Sequence, residues 1–206
     1  MVSLFFPNRC LSCGKDISLQ KSLCEECAEL IDGPVMAPFS LPYLKRAYAY
    51  WRYETPLKEL IQTYKFKDRP RMAGIFADML FDMLCVFSDN IKVVVPVPTT
   101  VQAFRKRGFD TNYLIMKSLR KRISIKVEDI LVAGGGRTPQ SRLGVEERKE
   151  SVKGKFHLRE RTSAERVLLF DDVVTSGATA SQCAKVLLEG GVKEVVLLAI
   201  AKAKGP

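Results

Sequence analysis

The chain has 206 residues, enough for one medium domain with a real core plus one small appendage. Its 47% hydrophobic, 9% aromatic and 27% charged residues exclude wholesale disorder and fibrous repeats. Lys and Arg number 33 against 23 Asp and Glu, and the formal charge of +10 points to a polyanionic partner, either nucleic acid or a phosphate-rich small molecule.

Four of the six cysteines come early, as two CxxC pairs: Cys10 and Cys13, then Cys24 and Cys27. Each pair can aim two thiolates at one ion, and two pairs complete a tetrahedron. Disulfides are the competing reading, but a reducing compartment and the lack of an export signal argue against them. Zinc is the expected ion, and four thiolates leave no open position for a catalytic water, so its role is structural. A segment of some thirty residues cannot bury enough surface to fold alone, and metal binding supplies the missing stability. Residues 1–33 hold three basic against five acidic side chains, a net of −2, which disfavours a grip on DNA by this module alone. Docking or clamping suits it better. Cys85 and Cys183 sit singly on apolar helical patterns and read as small core residues.

Gly33 and the prolines at 34, 38 and 42 mark a linker over 34–42, so the main domain is expected over 43–206. Residues 46–53 (RAYAYWRY) alternate as a strand. Thr55 and Pro56 read as N-cap and first position of a helix reaching Tyr64. A second helix is expected over 72–87, a buried strand over 91–97 (IKVVVPV), and a helix over 110–122. A strand over 129–133 runs into Gly134, Gly135 and Gly136; a helical turn at 142–149 and a strand at 155–158 follow. Residues 167–170 form a continuous apolar run, the mark of a central parallel strand, then a helix covers 178–189 and a strand 194–200. Strands alternating with helices predict an α/β fold with a doubly wound, mostly parallel sheet, carrying the small zinc-ribbon-like module at its N-terminus.

The stretch VLLFDDVVTSGATA over 167–180 carries the chemistry. A buried strand ends in Asp171 and Asp172 at the carboxyl edge, where open α/β sheets bind ligands. Then Val174, Thr175, Ser176, Gly177, Ala178 and Thr179 make a small-residue loop that opens directly into a helix, a ready cradle for phosphate. Carboxylates repel phosphate but accept hydrogen bonds from vicinal hydroxyls. A sugar with its 5′-phosphate in the loop and its 2′- and 3′-hydroxyls on the two acids satisfies both halves. The acids would also stabilise positive charge developing at C1′. A plain strand–helix turn with a capping Thr accounts poorly for adjacent acids. There is no GxxxxGK[ST] and no GxGxxG, which sets aside the common nucleotide loops.

This stretch resembles the phosphoribosyl pyrophosphate (PRPP) signature of type I phosphoribosyltransferases. The whole chain is similar to the ComF (competence protein F) family, through the four-cysteine head, LIQTYKFKDRP at 60–70, VVPVPTTVQAFRKRGF at 94–109, RTPQSRLGVEER at 137–148 and the signature itself. The resemblance implies ribose contacts at Asp171 and Asp172 and a 5′-phosphate wrapped by residues 174–179. It implies pyrophosphate and Mg²⁺ facing the loop after the 91–97 strand and the segment holding Arg137. Arg105, Lys106 and Arg107 can neutralise pyrophosphate oxygens, and Arg137 can offer a bidentate fork. Where the family has RGFNQ this chain has Asp110 and Thr111, and Ser151 replaces a common Asn. His157, the only histidine, reads as structural.

The family's link to natural transformation implies handling of single-stranded DNA. Residues 101–122 fit, with seven Lys or Arg against Asp110 alone, a net of +6, and Tyr50, Trp51, Tyr53 and Tyr64 are candidate stacking rings. An active phosphoribosyltransferase with an unidentified acceptor, or an inactive adaptor docked through the zinc head, are the other readings. The longest apolar run near the C-terminus, 195–201, is seven residues, far short of a membrane span. The N-terminus makes a poor signal peptide, so the cytoplasm is expected.

Overall fold

The computed structural model describes residues 9–10, 12–18, 23–29, 37–66, 70–86, 91–120, 122–134 and 155–203. In chain order the elements are α1 (Glu25–Glu29), β1 (Ala37–Phe39), β2 (Arg46–Arg52), α2 (Leu57–Phe66), a 3₁₀ turn (Pro70–Met72), α3 (Ala73–Val86) and β3 (Val93–Pro96). There follow α4 (Val101–Arg107), α5 (Thr111–Leu119), β4 (Lys126–Val127), β5 (Leu131–Ala133), β6 (Phe156–Leu158), β7 (Arg166–Val174), α6 (Ala178–Glu189) and β8 (Glu194–Lys202).

Six strands form one sheet in the order β1-β2-β8-β7-β3-β4. All its pairings are parallel except β1 with β2. The fold is therefore α/β with a mostly parallel sheet. β7 and β8 are apolar almost throughout because both faces of a central parallel strand are covered. Alternate residues go to two different cores. Leu168, Phe170, Val196, Leu198 and Ile200 pack with α2, α3 and α5, while Val167, Leu169, Val195 and Leu197 pack with α6. α3 earns its place in the first core through Ala73, Phe76, Ala77, Leu80 and Met83, spaced to make one helical face.

Several expected elements shift. The 34–42 linker contains β1, whose three residues pair with β2. α2 begins at Leu57, and the Leu60 amide donates to the Pro56 carbonyl, so Pro56 stands just ahead of the helix rather than at its first position. The 101–122 region is two helices. Gly108, at φ 81°, ends α4, and Asp110 starts α5. β5 and β6 do not join the main sheet; they form a separate antiparallel pair. Cys85 is exposed rather than a core residue, whereas Cys183 is buried as expected. The expected turn at 142–149 and the residues Gly135, Gly136, Arg137 and Ser151 lie outside the described residues.

Candidate functional site

β7 does not stop before its acids. Asp171 and Asp172 lie inside the strand, which continues to Val174, and Asp171 still pairs with Ala199 of β8. They are 9% and 4% exposed, so they belong to the interior of the sheet rather than to an open edge. The two carboxyls meet different partners, one from α5 and one from α2, helices that share the first core. The Asp171 carboxylate accepts from Asn112 Nδ2 and from the Asp172 backbone amide, both at 3.0 Å. Asn112 Nδ2 also donates to the Val97 carbonyl at 2.9 Å, tying the first turn of α5 to the end of β3. Asp172 Oδ1 accepts from Lys65 Nζ, in the last turn of α2, at 2.7 Å.

Burial, then repulsion from Asp172, pushes the Asp171 carboxyl up to about 7, against the opposing pull of Asn112, Lys65 and the Asp172 amide. Two polar atoms of this cluster, Asp172 Oδ2 and Asn112 Oδ1, are buried with no hydrogen-bond partner among the described residues. Unpartnered buried acceptors are costly, and a donor reaching either one would relieve that cost.

Around the acids the chain is tightly held. Tyr64 donates its hydroxyl to the Thr111 carbonyl at 2.9 Å. Burial, followed by the charges of Asp172 and Asp110, raises its phenol, with Arg107 drawing the other way. Asp110 caps α5, its Oδ1 accepting from the Tyr113 amide at 2.9 Å. Its Oδ2 accepts from the Thr99 amide at 2.8 Å, which fixes the turn between β3 and α4. The departure at Asp110 thus has a defined local job as a helix cap.

The small-residue loop follows β7 directly. Thr175 and Ser176 are exposed, and Gly177 is buried at φ 78° in the left-handed region. Gly177 offers α6 no side-chain cap, and the Ala178 amide reaches Ser176 Oγ only at a long 3.4 Å. The helix thus opens with only that long side-chain bond on its first N–H group among the described residues, a condition that suits an anion. The left-handed backbone favours glycine here, and any side chain would also displace Leu41. A Cβ at 177 would stand 2.3 Å from Leu41 Cδ2, because the turn between β1 and β2 lies across the loop.

Arg105, Lys106 and Arg107 occupy the last turn of α4. Lys106 Nζ sits 5.3 Å from the centre of the Phe66 ring, and Arg107 Nε donates to the Ala103 carbonyl at 3.3 Å. The expected stacking rings are not available: Tyr50 and Tyr64 are buried, and Trp51 and Tyr53 pack against the first core. His157, on β6, has both ring nitrogens buried without a partner among the described residues. Burial, then Arg159, lowers its pKa, in keeping with a structural neutral imidazole.

The cysteines converge as their spacing requires. The sulfurs of Cys10, Cys13, Cys24 and Cys27 lie within 4.8 Å of one another, and all four thiols are free. Cys13 Sγ and Cys24 Sγ are 3.7 Å apart. Zn–S bonds of about 2.3 Å in a tetrahedron give S···S edges of roughly 3.8 Å, so the cluster fits such an ion. The Cys27 amide donates to Cys24 Sγ at 3.4 Å. Burial raises the Cys10 thiol, but the backbone amides of Cys13, Cys24 and Ser12 outweigh it and bring it down to about 6; burial leaves Cys27 pushed up to about 12.

Lys65 and Asn112 complete the acid cluster and were not foreseen as site residues, while Tyr64, expected as a stacking ring, instead anchors the start of α5 beside it. Asn112 is one amide in an ordinary helix pattern. Tyr64 and Lys65 lie in the LIQTYKFKDRP block, which was the available pointer to them.

No family model matches the chain. It is homologous over most of its length to curated proteins of related name. It is 24% identical to "Competence protein F" of Haemophilus influenzae, over 97% of this chain and 99% of that protein. It is 25% identical to "DNA utilization protein YhgH" of Escherichia coli K12, over 90% and 86%. It is 26% identical to "Competence protein ComFC" of Streptococcus pneumoniae, over 71% and 64%. Among solved structures it is similar to the allosteric regulatory enzyme of purine biosynthesis, with TM-score 0.40 and 22% identity, covering 62% of this chain and 25% of that one. It is also similar to adenine phosphoribosyltransferase from Leishmania donovani, with TM-score 0.39 and 14% identity, covering 82% and 62%. At such scores the fold rests on its own strand order. No helix among the described residues is long and apolar enough to cross a membrane.

Proposed function

We propose that this chain, a homologue of competence protein F and of the DNA utilization protein, binds PRPP or a related ribose phosphate and handles incoming single-stranded DNA in the cytoplasm. The observation that carries the ligand half is the unit β7–loop–α6. Two buried acids with an unpartnered oxygen lead into a glycine-sharpened loop and an uncapped helix N-terminus. In this reading Asp171 and Asp172 accept from the ribose hydroxyls, and Thr175, Ser176 and Thr179 join the loop amides on the 5′-phosphate. Arg137, Arg105, Lys106 and Arg107 face the pyrophosphate, and Mg²⁺ enters with it as part of the ligand. The four cysteines hold a structural zinc in a module over 1–33, joined through 34–42 to the ligand-binding domain over 43–206.

The DNA half rests on the names of the relatives and on the +10 charge, which lies outside the cysteine module. The test is calorimetric titration with PRPP and Mg²⁺, beside a single-stranded oligonucleotide. Replacing both acids by Asn removes charged hydrogen bonds worth roughly 1.5–3 kcal/mol each, at least tenfold in PRPP affinity. Because the acids are buried, a thermal melt must accompany the titration. Equal PRPP heats for a folded double variant and the wild type refute the assignment. Pyrophosphate release on adding candidate acceptors would identify turnover.

A further inference from the structure

α4 is an unusual helix for a domain of this size: none of its seven residues is buried. Its ends are fixed by the Thr100 side chain accepting from the Ala103 amide and by Gly108 donating back to Phe104. It contributes no buried side chain to either core. What it carries instead is Phe104, 49% exposed, followed directly by Arg105, Lys106 and Arg107. Beside it the last residue of α2, Phe66, is 59% exposed, the most exposed large apolar side chain among the described residues. Lys106 lies over the Phe66 ring, so the two helices meet at this point. Phe104 is two residues from Lys106, about 200° around the axis at 100° per residue, so it projects from the side of α4 opposite Phe66, with the cationic turn between the two rings.

Exposed Phe is unfavourable without an occupant, and here both rings stand near Arg105 and Lys106, cations with no acidic partner among the described residues. Arg105 and Lys106 make no ion pair among the described residues, whereas Arg122 is paired to Asp78 and Lys126 to Glu128. A polyanion with flat apolar faces meets both demands at once. A duplex hides its bases from such rings; a single strand does not. We infer that Phe66 and Phe104 form a two-sided base-stacking platform for single-stranded nucleic acid, with Arg105 and Lys106 on the phosphates of a strand that crosses the turn between them. These are the same cations assigned above to pyrophosphate, so the two ligands share this turn. This rests on the DNA half of the function proposed above and supplies that reading with a surface. It also replaces Tyr50, Trp51, Tyr53 and Tyr64, the rings expected from the sequence, as the source of stacking.

The test separates stacking from charge. A labelled oligo-dT is titrated into the wild type, Phe66→Ala/Phe104→Ala and Phe66→Leu/Phe104→Leu, at several salt concentrations. Loss of base–aromatic stacking lowers affinity by roughly fivefold or more per ring. It leaves the slope of log K against log salt unchanged, because no phosphate contact is removed. Arg105→Ala/Lys106→Ala should instead flatten that slope by about 0.7 per contact. An abasic strand of equal length should not distinguish wild type from either Phe variant. The Leu variant keeps apolar bulk, so a folding defect in the Ala variant leaves the question open to it. Wild-type affinity for oligo-dT in the Leu variant, or equal losses on the abasic strand, overturns the platform. Failure of the wild type to bind oligo-dT at low salt overturns the DNA reading itself.

Discussion

Lys65→Met tests whether the acid cluster is held as described. Lys65 Nζ is 2.7 Å from Asp172 Oδ1, and the side chains are 17% and 6% exposed. Met keeps most of the length and the apolar stem but removes the ammonium. Asp172 Oδ2 is already unpartnered, so the carboxylate keeps no compensating cation. Removing one member of a buried pair costs roughly 3–5 kcal/mol, far more than an exposed pair would. For a chain of this size that is a fall of about 6–20 °C in Tm. Denaturant unfolding at neutral pH gives the difference directly. The decisive comparison is Lys65→Met/Asp172→Asn, where both charges are gone and most of the loss should return. A single variant within about 0.5 kcal/mol of wild type, the range of an ordinary surface change, refutes the pairing. So does a double variant no more stable than the single one.

Asp171→Asn should change how stability responds to pH. The folded carboxyl is raised from 3.8 to about 7, so the folded state keeps its proton where the unfolded chain has lost it. Stability therefore declines as pH rises from about 4 to about 7 and levels beyond, and denaturation midpoints of the Asn variant should lack that decline. Gly177→Ala should destabilise by roughly 1–2 kcal/mol for the left-handed backbone, with a further loss as Leu41 is displaced. Adding Leu41→Ala should recover the displacement but not the backbone part, and full recovery in melts would remove the argument from φ. Elemental analysis should find one zinc per chain, lost in Cys10→Ser while the far-UV signal of the sheet persists, since the cysteines pack mainly with Ile17 and Leu23. Disulfides among the four cysteines, with no metal, refute the centre.

The parallel sheet was legible because β7 and β8 are buried on both faces and therefore apolar on both. The cysteine cluster was legible because CxxC spacing alone brings two sulfurs together. Three things were not. β1 is three residues beside prolines, too short to alternate, and exists because β2 offers it an edge. The end of β7 was misjudged because carboxylates are usually exposed; here Asn112 and Lys65, 59 and 107 positions away, let the strand run through them. The true exposed rings escaped notice because a Phe in a short helix reads as core, and only the absence of a buried face on α4 reveals otherwise.

The contact of Leu41 with Gly177 makes the loop before α6 and the hairpin of β1 and β2 parts of one mechanical unit. β1 is fastened by three residue pairs, Ala37 with Ala49, Pro38 with Tyr48 and Phe39 with Ala47. An occupant that reshapes the loop must press on Leu41, and so on a strand with little to hold it. By reciprocity, whatever draws that edge strand aside changes the loop's affinity by the same factor. Amide exchange at Ala37 and Phe39 would therefore register the arrival of a ligand in the loop.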